Sequence, residues 1–148
     1  GRVGEIDVDY ETWADKNASM QMVARIAGRE NDKIQLREIG HLQGEGAAGA
    51  LLSRIAVGDQ ASADIYNELT ASAAHAQGHV DCKEIIQGDA TAKATPVVDV
   101  RNPLARVTHE AALGSVDSKQ LQTLMVRGMD EEDAVEMIVQ GMLRGSEN

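Results

Sequence analysis

Met22-Val23-Ala24-Arg25-Ile26 is the stretch on which the fold reading turns. It is a short, apolar, partly β-branched run. Similar runs return at Ile34-Gln35-Leu36, Ala50 to Val57, Val80 to Ile86 and Pro96 to Val100, separated by clusters of Gly, Asn and Asp. That is the pattern of short strands with frequent corners. A cationic residue or His followed by an apolar residue recurs along these runs, at Arg25-Ile26, Arg54-Ile55, His79-Val80 and Arg106-Val107. Repeats of roughly 25 to 29 residues, each holding two or more short strands, fit the coils of a parallel β-helix better than propeller blades of about 40 residues. A β-sandwich is the remaining alternative for residues 1 to about 115.

Composition agrees with thin coils. The 148 residues include no Phe, one Trp and two Tyr, so the apolar content rests on Ala, Val, Ile, Leu and Met. An aromatic core is excluded, whereas short and β-branched side chains suit the narrow interior of stacked strands. The formal net charge of −10 argues against nucleic acid or an anionic membrane surface as partner, and favours a basic one. One cysteine, Cys82, cannot form an internal disulfide, and no stretch approaches a membrane span or a signal peptide, which leads us to expect a cytoplasmic protein. The chain opens on Gly1 rather than Met, and we expect it to be a piece truncated at the N-terminus.

The segment 116–148 changes character. Asp117 or Ser118 is suited to cap a helix in which Leu121, Leu124 and Met125 recur at helical spacing, and Gly128 stands where a terminating glycine belongs. A second helix follows, with Asp130 as cap and Glu131, Glu132 and Asp133 in its first turn; Ala134, Val135, Ile138, Val139 and Met142 share one face. Such a pair serves either as a cap over the open end of the β body or as a docking site, since a Met-rich face with an acidic rim also fits a partner groove. Leu121, Leu124, Met125, Glu131, Glu132, Val135, Ile138 and Met142 are the candidate partner-binding residues.

Chemistry centres on Cys82. In Val80-Asp81-Cys82-Lys83-Glu84-Ile85, strand alternation turns Val80 and Cys82 to one face and Asp81 and Lys83 to the other. A lone inward cysteine is ordinarily a small inert hydrophobe. If Val80 aligns with Val107 one coil later, Cys82 aligns with His109, and thiol and imidazole would lie roughly 5 Å apart as candidate ligands for iron or zinc. Glu110, on the opposite face, joins them only if the strand bulges or ends there. One thiolate is too few for an ordinary iron-sulfur site, so a second subunit would complete it or the ligation is weak. His41, His75 and His79 lack a third ligand at metal spacing; His75 and His79 would share a helix face, but without the glutamate of a zinc peptidase.

Gly44-Glu45-Gly46-Ala47-Ala48-Gly49 matches the dinucleotide-binding glycine pattern, with a possible helix Ala50 to Ile55 after it and Asp64 further on. Against this, Ile34 to Leu42 is interrupted by Arg37, Glu38 and His41, where that fold has an apolar first strand, and Glu45 would meet the pyrophosphate. A dinucleotide-dependent oxidoreductase is therefore the weakest alternative.

Asn102-Pro103-Leu104-Ala105-Arg106-Val107-Thr108-His109-Glu110-Ala111 resembles the NPxARVxHEA motif of SufB-type proteins. Gln120-Leu121, Arg127-Gly128-Met129-Asp130-Glu131-Glu132-Asp133-Ala134 and Ile138-Val139-Gln140-Gly141 are similar to the family's helical tail. Cys82, ahead of Gly88-Asp89, falls where SufB carries a functional cysteine. The resemblance to the SufB/SufD family runs from about Ala24 to Gly145. It implies a right-handed parallel β-helix followed by a short C-terminal helical segment, acting without catalysis of its own as an iron-sulfur cluster scaffold of the SUF system. It further implies a SufC-type ATPase bound by residues 116–148, a homodimer or SufB-SufD heterodimer, and cluster-accepting apoproteins. By the same resemblance Cys82, His109 and Glu110 assist assembly of a transient cluster of the 4Fe-4S type. A flavin would associate with the longer full-length complex, for which no counterpart stands here. A structural subunit that couples the ATPase without binding a cluster is the alternative.

Overall fold

The computed structural model describes residues 4–145. Eight strands are followed by two helices: β1 (Glu5–Ala14), β2 (Ser19–Gly28), β3 (Lys33–Leu42), β4 (Ala48–Val57), β5 (Ser62–Ala71), β6 (Gln77–Ile86), β7 (Thr91–Val100), β8 (Arg106–Gly114), α1 (Ser118–Val126) and α2 (Glu131–Arg144). Odd strands form one sheet in the order β1-β3-β5-β7 and even strands a second in the order β2-β4-β6-β8. All pairing is parallel. The chain thus winds as a β-solenoid of about four coils, one strand of each coil in each sheet, as the parallel β-helix reading expected. A sandwich built of antiparallel strands is excluded.

The coil length is constant. Lys33 pairs with Ser62 and Ser62 with Thr91 in the first sheet; Ser19 pairs with Ala48, Ala48 with Gln77 and Gln77 with Arg106 in the second, always with the same interval. The exception is Glu5 with Lys33, one residue closer, because residues 15–18 make a shorter corner than 43–47 do a coil later. This corrects the repeat read from sequence. Arg25-Ile26 and Arg54-Ile55 do stack in register, but the next member of that column is Lys83-Glu84. His79-Val80 lies beside Ala50-Leu51, and Arg106-Val107 beside Gln77-Gly78. A cation followed by an apolar residue is a commonplace of alternating strands, so such pairs occur at different heights within a strand.

Corners, not strands, hold the period. Glu30, Asp59 and Gly88 occupy one corner with positive φ, and Asn17, Gly46 and His75 occupy the other, each row repeating at the coil interval. Hydrogen bonds between coils continue around the bends, as from Gly58 N to Gly28 O and from Gln87 N to Val57 O, both 2.9 Å. Asp59 adds a side-chain link, its carboxylate accepting from Glu30 N at 2.8 Å. Buried alanines line these bends, with Ala47, Ala76 and Ala105 at one corner and Ala61 and Ala90 at the other. A methyl group fills each of these tight bends, which accounts for the recurrent alanines there.

The glycine-rich stretch is one of these corners. Gly44 and Gly46 lie in the turn between β3 and β4, and the segment expected as a helix, Ala50 to Ile55, is strand. A Cβ at Gly44 would collide with the Lys16 amide and the Asp15 carbonyl of the coil below, so glycine is demanded by backbone approach and not by a phosphate. His75 likewise belongs to a turn and His79 to β6, so the two share no helix.

Both helices begin and end as their sequence signals require. Asp117 Oδ1 accepts from Lys119 N at 2.7 Å and Gln120 N at 3.1 Å, and Asp130 Oδ1 from Asp133 N at 2.9 Å. Gly128, at φ +94°, closes α1 as a Schellman motif, with Gly128 N bonded to Met125 O and Met129 N to Leu124 O. Their position differs from the expected cap. They lie on the outer face of the second sheet, where Val139 and Leu143 bury against Ala56, with Ile85, Leu121, Val135, Ile138 and Met142 packed around them. Arg29, in a corner, pairs with Glu136 of α2. The outward positions Ala56 and Ile85 leave that patch of sheet apolar, and the helices cover it.

If corner stacking sets the coil, Gly44→Ala should destabilise the protein by about 2–4 kcal/mol, the scale of backbone overpacking. Urea midpoints will measure it. Wild-type stability in the variant would mean that the corner tolerates displacement.

Candidate functional site

Interior positions of a parallel solenoid fall into columns, because in-register pairing places one coil's inward side chain above the next. Most columns are apolar: Leu36 over Ile65, Leu42 over Ala71, Leu51 over Val80. One level is not. Glu38 and Asn67 stack on the inner face of the first sheet, and Ser53 and Cys82 on that of the second. Glu84 stands one inward position further along β6. All five are buried, with at most 2% of their surface exposed.

These groups join across the core. The Cys82 thiol donates to Asn67 Oδ1 at 3.2 Å, and Asn67 Nδ2 donates to Glu38 Oε2 at 2.5 Å. Oε1 of Glu38 and both carboxylate oxygens of Glu84 have no hydrogen-bond partner among the described residues. Burial is the dominant electrostatic influence. It pushes the Glu38 carboxyl up to about 7 against the opposing hydrogen bond from Asn67. It lifts Glu84 to about 7 as well, against the attraction of Arg54. Burial raises the Cys82 thiol to about 11, outweighing a lowering from Ser53 and reinforced by the charges of Glu84, Glu38 and Asp81. At neutral pH Cys82 is a protonated donor inside a closed coil, whereas a nucleophile or metal ligand must be a thiolate.

Three residues singled out from sequence occupy different settings. Cys82 pairs with Ser53 on one side and Ala111 on the other, not with His109. His109 pairs with Val80, because the coil is two residues longer than the expected alignment required. Cys82 and His109 still point to the same inner face, one coil and two residues apart. That offset corresponds to about 8 Å between Cα atoms instead of the expected 5 Å. His109 is exposed, since β8 ends its sheet and no further strand covers it. Glu110 lies on the outer face, exposed, with its carboxylate 3.8 Å from Lys83 Nζ. Among the described residues, no three His, Cys, Asp or Glu side chains gather at metal-binding spacing.

Glu38, Asn67, Ser53 and Glu84 were not singled out from sequence. The signal for Glu38 was available: alternation along β3 puts Ile34, Leu36, Glu38, Gly40 and Leu42 on one face. Asn67 and Ser53 carry no such mark without the register. Of the candidate docking residues, Leu121, Val135, Ile138 and Met142 are engaged in packing α1 and α2 onto the sheet. Met125, Glu131 and Glu132 remain exposed, and Leu124 is half-buried.

Residues 10–142, most of the β body and nearly all of the two helices, match a known family model, that of the SufBD core domain of SUF-system FeS cluster assembly. The chain belongs to the SufBD family. It is 41% identical over 143 residues to an iron-sulfur cluster assembly SufBD family protein of Methanocaldococcus jannaschii, covering 97% of this chain and 45% of that protein. A SufBD family protein of Pyrococcus horikoshii is 30% identical over 142 residues, covering 96% and 44%. One from Synechocystis is 37% identical over 87 residues, 56% of this chain and 18% of the relative. The chain therefore spans about half the length of the first two SufBD relatives. No described helix is long and apolar enough to cross a membrane.

Two measurements check the site. Between pH about 4.5 and about 7 the folded protein keeps protons on Glu38 and Glu84 that the unfolded chain has released. Stability should therefore fall as pH rises through that window and level off above it. Glu38→Gln should reduce the slope and add on the order of 2 kcal/mol at pH 8, as read by urea melts. A pH-independent wild type would contradict the buried ionisation. Iodoacetamide at pH 7.5 should leave native Cys82 unmodified and alkylate it in guanidinium, with the rates differing by at least about 100-fold. Rapid native labelling would show the thiol to be open.

Proposed function

We propose that this chain forms the core of a scaffold subunit of the SUF system, on which a nascent iron-sulfur cluster, its cargo, is assembled and released. The observation that carries the reading is the sequestration of the one cysteine. Cys82 lies on an internal polar chain, protonated, one coil from the solenoid end that bears His109. A thiol held this way is protected until the coil opens, and a single ligand that binds weakly suits a protein that must pass its product on.

The end of the solenoid supports a subunit partner. The inward side chains of the last coil, Val98, Val100 and Leu113, are exposed, at 37%, 45% and 56%, beside unpaired edges of β7 and β8. A second SufBD subunit, identical or paralogous, would pair with those edges by strand addition and bring its own ligands towards His109 and Cys82. The exposed part of the helical tail, Met125, Glu131 and Glu132, is the face offered to a SufC-type ATPase, whose movement would open the coil. Apoproteins would then accept a cluster of the 4Fe-4S type.

A second reading is favoured by the register, which seats His109 beside Val80 rather than beside Cys82. Here the chain couples the ATPase as a structural subunit and holds no cluster. Dinucleotide binding finds no support, since its glycines form a solenoid corner and its helix is a strand.

Anaerobic reconstitution of the full-length protein, with and without its partners, separates the two. The scaffold reading expects a cluster chromophore whose yield falls at least about tenfold in Cys82→Ala while SufC capture is unchanged. Capture of SufC without a chromophore, or a chromophore indifferent to Cys82→Ala, assigns the structural role instead.

A further inference from the structure

The outer face of the second sheet carries a column that the cluster-assembly reading does not use. In-register pairing stacks Arg25 of β2, Arg54 of β4 and Lys83 of β6. Three cations at successive rungs about 4.8 Å apart repel one another, an arrangement that costs stability unless counter-charge is supplied. In a chain of net charge −10 the concentration is conspicuous. Arg144, in the last turn of α2, is brought beside the same column, so that four cations line one cavity of about 530 Å³. Gln21, Val23, Leu52 and Met142 are among its other walls.

The protein's own acids only partly answer this charge. Asp81 pairs with Arg54, whose guanidinium also donates to the Ser53 and Asp81 carbonyls, and lies 3.7 Å from Lys83 Nζ. Glu110 reaches Lys83 from the edge strand at 3.8 Å. Arg25 and Arg144 are exposed and have no acidic partner among the described residues. The carbonyl end of α2 adds partial negative charge, which Arg144 offsets in the last turn. Among the described residues positive charge remains in excess, and the guanidinium groups of Arg25 and Arg144 are the donors suited to bidentate oxyanion binding.

We propose that this cavity is a binding site for a small, multiply charged oxyanion, phosphate- or carboxylate-bearing, with Arg25 and Arg144 as the primary contacts and Gln21, Arg54 and Lys83 in support. The volume falls in the range of small-molecule sites, about 300–1,000 Å³, and Val23, Leu52 and Met142 accommodate an apolar portion of the ligand. Because the site bridges α2 and three strands of one sheet, occupancy would also brace the helical tail against the solenoid.

The test is calorimetric titration of the full chain with pyrophosphate and, in a parallel arm, citrate, at constant ionic strength. Saturable one-to-one binding is expected for at least one anion, and comparing the arms separates phosphate from carboxylate. Affinity should fall at least about tenfold in the Arg25→Gln, Arg144→Gln double variant, the loss of roughly one charged contact. It should be unchanged in Arg101→Gln, whose cation lies just past the end of β7, beside Asp99, away from the cavity. Wild-type amide shifts during the pyrophosphate titration give a readout that needs no variant, and should concentrate in β2, β4 and the end of α2. Absence of saturable binding in both arms, equal affinity in the double variant, or shifts centred elsewhere would each overturn the site.

Discussion

Parallel, in-register stacking of coils of constant length is the constraint from which the rest of this protein follows. Each strand of a coil satisfies its backbone through the coils above and below, and the corner amides continue the same ladder. A side chain is thereby committed to a column, and neighbours in that column are residues one coil away. Apolar columns make the core. A polar residue turned inward must find its partner at the same level, and Cys82, Asn67 and Glu38 do so across the narrow interior. The cation column on the outside has the same origin.

The internal polar level is costly, since Glu38 and Glu84 are buried with carboxylate oxygens unsatisfied and both carboxyls hold their protons more tightly than in water. Leu36, Ile65, Leu51 and Val80 fill neighbouring inward positions with apolar side chains. Burying a thiol in a polar setting suppresses its reactivity while leaving hydrogen-bond partners at hand. The exposed last coil, with His109 among its inward positions, lies one rung away.

The helical tail links this interior to the outside. α2 rests on the outer face of the second sheet, which carries Cys82 on its inner face. Ala56 and Ile85, under the helix, belong to β4 and β6, the strands of Ser53 and Cys82. Force or binding energy applied to α2 therefore acts on the strands that hold the thiol through one layer of packed side chains.

Local features were legible from sequence alone. Asp117, Gly128 and Asp130 mark the helix ends because capping is a matter of a few adjacent residues, and the β character of residues 22–26 and 50–57 follows from alternation and composition. The motif around His109 was enough for the family resemblance. Register was not legible. The cation pairs suggested coils of unequal length, and only the stacked corners, with positive φ at Glu30, Asp59 and Gly88, establish a constant period. That shift of two residues replaced His109 by Ala111 beside Cys82, while the thiol finds Asn67 of the opposite sheet as its partner across the core. The sequence by itself determined strands, caps, the inward turn of Cys82 and the family. The tertiary structure decided which residues meet, because contacts between coils depend on a period summed over two strands and two corners, and no local pattern encodes that sum.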